Sequence, residues 1–201
     1  YKTVTCSDKG SNYGNGSLSN FGCFQTLGNI IIDYYFDADI KDGSYMRKLD
    51  LDNALATTEF ETDDAKYRRE YFVSRDADVA VIHLDADKSK MISVDIELER
   101  QERVEYRTED NAIVMFGQLK DGSNGDEGMK YLSKLTVDNE GGNVDFKNNK
   151  IIVRDADKLT LIFSSSTNYK NENYPAFVDS LMNEAKSHSY KHLKKKHIES
   201  Y

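Results

Sequence analysis

ETDDAKYRREYFVSRDADVAVIHLDAD, residues 61–87, holds two strand-like runs, Tyr67 to Ser74 and Val79 to Leu84, on either side of Arg75-Asp76-Ala77-Asp78. Aspartates in such a tetrapeptide can hydrogen-bond their own backbone, so the stretch reads as a β-hairpin. Side chains alternate across a strand, so Ala80, Ile82 and Leu84 point one way while Val79, Val81 and His83 point the other. The second run is thus apolar on nearly both faces, which predicts a strand lying inside a sheet sandwich. Tyr71, Phe72, Ile82 and Leu84 are the expected contributors to the core, whereas Arg68, Arg69 and Glu70 read as strand-surface and pairing residues.

Outward from this hairpin the same signal repeats. Upstream lie Leu27 to Tyr35, Tyr45 to Leu49 and Leu55 to Glu61; downstream lie Met91 to Leu98, Val104 to Arg107, Ala112 to Leu119, Met129 to Val137, Asn143 to Phe146, Ile151 to Arg154 and Leu159 to Ser164. Turn-forming clusters such as Asp42-Gly43-Ser44 and Asp63-Asp64 separate them, and short strands at that spacing predict a mainly β chain built as an antiparallel sandwich or barrel. VSRDADVAVIHL at 73–84 has an echo in IVRDADKLTLIF at 152–163. Either two halves of a sandwich reuse one corner or the likeness is chance. The Asp-Ala-Asp triplets at 37–39 and 85–87 lack the alternate oxygen ligands, bend glycine and distal Glu of a calcium loop, and read as plain turns.

The 201 residues suffice for one large domain with a buried core. A formal net charge of -8 argues against nucleic acid as a partner, since phosphate binding needs a basic face, but leaves a neutral or sugar-like ligand unhindered. No apolar run approaches the ~20 residues that span a bilayer, and YKTVTCSDKG at 1–10 lacks the apolar core of a signal peptide. Residues 1–20, with GSNYGNGS at 10–17, read as a glycine-rich loop, so the N-terminus is expected to be a cut inside a larger polypeptide. Cys6 and Cys23 flank that loop and fit either a disulfide in an oxidising compartment or two unrelated thiols. Asp121 to Gly128 reads as a second loop, a binding loop or a solvated connector.

After Tyr174 the composition changes. Pro175 suits a first helical turn, and Ala176, Phe177, Leu181, Met182 and Ala185 fall near helical spacing. A second helix is expected over Tyr190 to Tyr201, with Lys194-Lys195-Lys196 and only Leu193 and Ile198 as its apolar stripe. So sparse a stripe leaves a helix marginal by itself, which predicts packing on something beyond residue 201.

Candidate chemistry is thin. His188 and His192 share a helix face, but the metalloprotease context is missing, and a solvated basic helix is the plainer reading. His83, inside a strand, reads as a hydrogen-bonded core residue. Motifs of the G-x-S-x-G, P-loop and strand-to-helix G-x-G-x-x-G types are absent from the sequence. Carboxylates are plentiful, but no glycosidase-like pair stands out by context. No catalytic, metal-binding or cofactor-binding residue is assigned, and no cofactor is implied.

FGCFQTLGNIIIDYY at 21–35, YMRKLDLDNALATTEFE at 45–61 and YRREYFVSRDADVAVIHLDADK at 67–88 together resemble the N-terminal domain of glycoside hydrolase family 95, known for α-L-fucosidases and some α-L-galactosidases. The likeness continues through GGNVDFKNNKIIVRDADKLTLIFSSSTNY at 141–169, and SYKHLKKKHIESY at 189–201 is similar to the family's linker helix. The resemblance implies a β-sandwich of the supersandwich type over 21–174 and a helical linker over 175–201, leading into an (α/α)6 catalytic barrel that this chain lacks. It implies inverting hydrolysis of terminal α-L-fucose by that barrel, whose acid and base residues have no counterpart here. The barrel of the same polypeptide is then the expected partner, with fucosylated oligosaccharide at the domain edge, no nucleic acid and no membrane. A periplasmic or extracellular location is likewise implied. Asn12 to Phe24 and Asp121 to Gly128 are the stretches expected to reach an active-site rim.

Two other classes compete with this support-domain reading. A carbohydrate-binding module or sugar-recognising interaction domain would stack exposed aromatics on sugar rings; the chain has 13 tyrosines but no tryptophan, the usual platform. A pure adhesion domain would be a self-sufficient fold with intact edges.

Overall fold

The computed structural model describes residues 26–36, 38–109, 111–119 and 128–201. Cys6, Cys23, the glycine-rich loop and nearly all of both candidate rim loops lie outside the described residues. The described chain is mainly β, two antiparallel sheets followed by a helical pair. The smaller sheet has the order β1 (Asn29–Tyr34), β6 (Ile92–Glu99), β11 (Lys150–Ala156), β10 (Asn143–Lys147). The larger has eight strands: β2 (Met46–Asp50), β3 (Leu55–Glu61), β4 (Lys66–Ser74), β5 (Val79–Ala86), β12 (Lys158–Thr167), β9 (Lys130–Glu140), β8 (Ala112–Gln118) and β7 (Glu105–Glu109). Each strand expected from the sequence is present within a few residues.

β4 and β5 form the expected hairpin, in register from Tyr67↔Ala86 to Ser74↔Val79. Its turn is tied by Ser74, whose hydroxyl accepts the Ala77 N–H at 3.2 Å, and not by an aspartate carboxylate. Burial on both faces of β5 has two sources. Ile82 and Leu84 pack between the sheets with Val94, Ile96, Leu135, Ile151 and Leu159. Val79 and Val81 belong to a second core on the outer face of the larger sheet, closed by Val178, Met182, Ala185 and Leu193 of the helices. The near-continuous apolar runs of β8 and β12 follow from the same two-sided cover. On the inner face the smaller sheet is too narrow to cover its partner, so Val73 and Leu49 remain 67% and 66% exposed.

The echo at 152–163 has a different structural meaning from the hairpin. Glu140 pairs with Lys158 in the larger sheet, while Asn143 pairs with Arg154 in the smaller. One antiparallel ribbon therefore runs from sheet to sheet, with Gly141-Gly142 on one strand and Asp155 to Asp157 on the other forming the bend. Strands that switch sheets commonly do so through a bulge, and the register of β11 shifts between Val153 and Ala156. Asp155 sits at φ 57° and both glycines at φ near 70°. Arg75-Asp76-Ala77-Asp78 closes a hairpin, and Arg154-Asp155-Ala156-Asp157 turns a corner.

Arg69, read from the sequence as a surface residue, instead points into the end of the sandwich. Its guanidinium lies 3.7 Å from the Tyr34 ring centroid and 4.7 Å from that of Phe60. Inward alternation on β4 forces this, and the contact contributes about 1 kcal/mol by cation–π attraction.

Candidate functional site

Tyr174, with Pro175 in the first turn, opens α1 (Tyr174–Lys186), and Ser189 caps α2 (Tyr190–Ser200) by accepting the His192 N–H at 3.3 Å. α1 buries Val178, Met182 and Ala185, a face turned from the expected one, which leaves Phe177 41% exposed. α2 packs on the domain's own sheet. Its buried residues are Leu193 and His197, with Ile198 outward, so a histidine replaces the expected isoleucine in the stripe. The His197 ring stacks on Phe72 at 4.8 Å, and its Nε2–H donates to the carbonyls of Asn53 and Ala54 at 3.0 and 3.2 Å. Neither contact is visible in a hydropathy pattern, because the imidazole supplies an apolar face and one donor at once.

Each helix is also clasped electrostatically. Lys134 on β9 lies 2.7 Å from both Glu109 of β7 and Asp179 of α1. Glu70 on β4, expected from the sequence as a strand-surface and pairing residue, does pair but is only 5% exposed. Its carboxylate accepts from Lys194 Nζ at 2.8 Å, from Arg68 Nη2 at 2.8 Å and from the Tyr190 hydroxyl. Burial alone would push this carboxyl up, but the donors from Lys194, Tyr190 and Arg68 outweigh it and hold it down at about 2. The same burial, reinforced by the Glu70 carboxylate, pushes the Tyr190 phenol up.

Next to this clasp, the outer face of the larger sheet turns polar. Registers place Glu59, Arg68, Asp85, Lys158 and Glu140 side by side on five adjacent strands, a row of alternating sign. The neighbouring row on four of those strands is Glu70, His83, Thr160 and Asp138. A cleft of about 360 Å³ lies over these rows, walled by Tyr190 and Lys191 of α2. His83 is 8% exposed, with Nδ1 3.0 Å from Thr160 Oγ1 and its ring stacked 3.7 Å from that of Tyr190. It is the hydrogen-bonded core residue expected from the sequence.

Burial lowers the His83 imidazole below the ordinary 6.5, against the opposing pull of Asp85 and Glu70. A group buried neutral takes up its proton first in the unfolded chain, so stability is expected to fall as pH drops below 6.5. Denaturation midpoints measured on either side of that pH should show this limb, and His83→Gln should flatten it. An unchanged slope in the variant would remove His83 as the cause.

His188 and His192 stack at 4.3 Å on the solvent side of the helices. Among the described residues no group of three or more His, Cys, Asp or Glu side chains is placed to hold a metal ion.

A β-sandwich whose wider sheet is backed by two clasped helices defines a mainly β domain. The model of the glycosyl hydrolase family 65 N-terminal domain matches residues 4–172, and the chain belongs to that family. Among curated relatives, probable alpha-fucosidase A of Aspergillus niger is 30% identical over 207 residues, 92% of this chain and 25% of the relative. The Aspergillus oryzae protein of the same name is 25% identical over 204 residues, 92% of this chain and 28% of the relative. A solved structure titled putative kojibiose phosphorylase from human microbiome superposes with a TM-score of 0.57 at 15% identity, covering 85% of this chain and 26% of that one; at that identity the match shows the fold. The chain thus spans about a quarter of the length of the curated relatives it matches. An N-terminal domain of a glycoside hydrolase is common ground between this family and the family 95 resemblance.

Proposed function

We propose that this chain is the non-catalytic N-terminal support module of a larger glycoside hydrolase of the α-L-fucosidase kind, with sequence blocks that resemble family 95. The observation that carries the reading is coverage: nearly all of this chain aligns with only a quarter of each alpha-fucosidase A. In this reading a catalytic barrel elsewhere in the polypeptide hydrolyses terminal α-L-fucose with inversion, in the periplasm or outside the cell. The two helices are the mount. Apolar cores and the Glu70 and Lys134 clasps hold them on the sheet, while Phe177, Ile198 and, just past the end of α2, Tyr201 stand 41%, 37% and 59% exposed. A rigid helical layer with apolar side chains facing outward suits a partner domain better than water.

The test uses the parent polypeptide with and without these residues. The 201-residue chain is expected to release no fucose from fucosylated oligosaccharides. The intact parent should release it, and deleting the module should lower the parent's melting temperature and soluble yield. Fucose release by this chain alone, or a parent indifferent to the deletion, would sink the support role.

A further inference from the structure

The geometry points to the cleft beside α2 as a binding site for a neutral saccharide, a role independent of the support role. Strands about 4.8 Å apart bring donors and acceptors into alternation across the cleft floor. The pairing among them is incomplete. Arg68 has turned to Glu59 and Glu70, at 2.5 and 2.8 Å, and Lys158 to Glu140 at 2.8 Å. Asp85, between Arg68 and Lys158 in the row, is left without an ion pair, and Asp138 and Lys191 also face the cleft without one among the described residues. Two open carboxylates and an open ammonium, flanked by the Tyr190 ring and the aliphatic stems of Lys158 and Arg68, offer a polyhydroxylated ring both kinds of hydrogen bond and an apolar contact.

Ligand charge narrows the class. Glu70, Asp85, Asp138 and Glu140 outnumber Arg68, Lys158 and Lys191 in the lining, so a phosphate or other anion meets net repulsion. A divalent cation would want several carboxylates converging on one point, whereas Asp85 and Asp138 stand in different rows on the non-adjacent strands β5 and β9. A neutral polyol meets neither obstacle. Carboxylates accept paired hydroxyls in charge-assisted bonds, which are stronger than neutral ones. For a monosaccharide of about a dozen heavy atoms bound at a solvent-exposed cleft, the expected affinity is about millimolar.

Backbone amide NMR of the 201-residue chain, titrated with L-fucose, D-glucose and a glucosyl disaccharide, tests this directly. Saturable shifts are expected at Asp85, Asp138, Tyr190 and Lys191 with at least one sugar. The double variant Asp85→Asn/Asp138→Asn should keep the spectrum and weaken binding about tenfold or more; Lys191→Ala, at an exposed helix position, serves if the double variant does not fold. Calcium chloride and sodium phosphate are the competing probes. No shifts with any sugar, shifts confined to another surface, cleft shifts with calcium or phosphate alone, or unchanged binding in the variants would each overturn the assignment. Silence toward sugars would leave the support role standing.

Discussion

An alanine at position 142 is expected to destabilise the domain by about 3 kcal/mol or more, a fall in melting temperature of roughly 6–12 °C for a domain of this size. Gly142 lies where the ribbon β9–β10/β11–β12 bends from the larger sheet to the smaller. Its φ of +67° costs any L-residue roughly 1–2 kcal/mol. A Cβ there would also stand 2.3 Å from the Arg154 carbonyl oxygen and 2.5 Å from the Ala156 nitrogen, both backbone atoms that cannot rotate aside. Relief requires the β11 bulge to open, and that bulge sets which face of β11 reaches the core, including Val153 and Ala156 at 0% exposure. Gly43→Ala is the matched control: φ is +75° but nothing lies within 4 Å of the added Cβ, so only the backbone cost of roughly 1–2 kcal/mol remains. Thermal melts of both variants decide it. Equal losses would mean that the ribbon contact contributes nothing.

The strands were legible because each carries its own signal, an apolar run bounded by turn residues, and local chemistry sufficed to bound them. Assembly of the strands was not legible. The tetrapeptide Arg-Asp-Ala-Asp closes a hairpin at 75–78 and turns a sheet-switching corner at 154–157, and the difference lies in the pairing partners: β5 returns along β4, whereas β11 joins β6 and β12 joins β5. The burial of Glu70 was hidden for a related reason, although its pairing was expected. On the outer face of β4 the sequence shows Lys66, Arg68 and Glu70 in alternation, the mark of a solvated edge, and the side chains that bury Glu70 lie 120 and 124 positions away in α2. The cleft was equally hidden, since its lining comes from four strands and a helix whose registers no single stretch of sequence states. His197 alone left a usable hint: with Leu193 it makes an i, i+4 pair, and counting histidine as half apolar would have turned the predicted stripe toward the sheet.

Glu70→Gln is expected to cost about 2–3 kcal/mol, or roughly 5–10 °C in melting temperature, with the loss concentrated in α2. The amide keeps the shape of the carboxylate but can no longer answer two cations, and its NH2 group presents a donor to donors. Lys194 and Arg68 have side chains 27% and 50% exposed, so both can turn to water, which keeps the cost below that of a fully buried broken pair. Tyr190 cannot turn so easily, because its ring is held against His83. The wild-type clasp has a defined pH range. A carboxyl whose folded value of about 2 lies below the ordinary 4.5 stabilises fully above 4.5 and progressively less as pH falls toward 2. Tyr190, raised above the ordinary 10.0, sets the other limit, since its stabilising effect fades as pH rises past that value. Glu70→Gln should therefore separate from wild type in the neutral range and converge with it in acid. Hydrogen exchange supplies the local reading: amides of Leu193 to His197 should lose protection in the variant while those of β8 and β9, in the doubly covered part of the sheet, keep theirs. Uniform loss across the domain would mean that α2 and the sandwich unfold as one unit, with the Glu70 clasp no more local than any core contact. A loss confined to α2 would make the Glu70 clasp the point where that helix is fastened to the sheet.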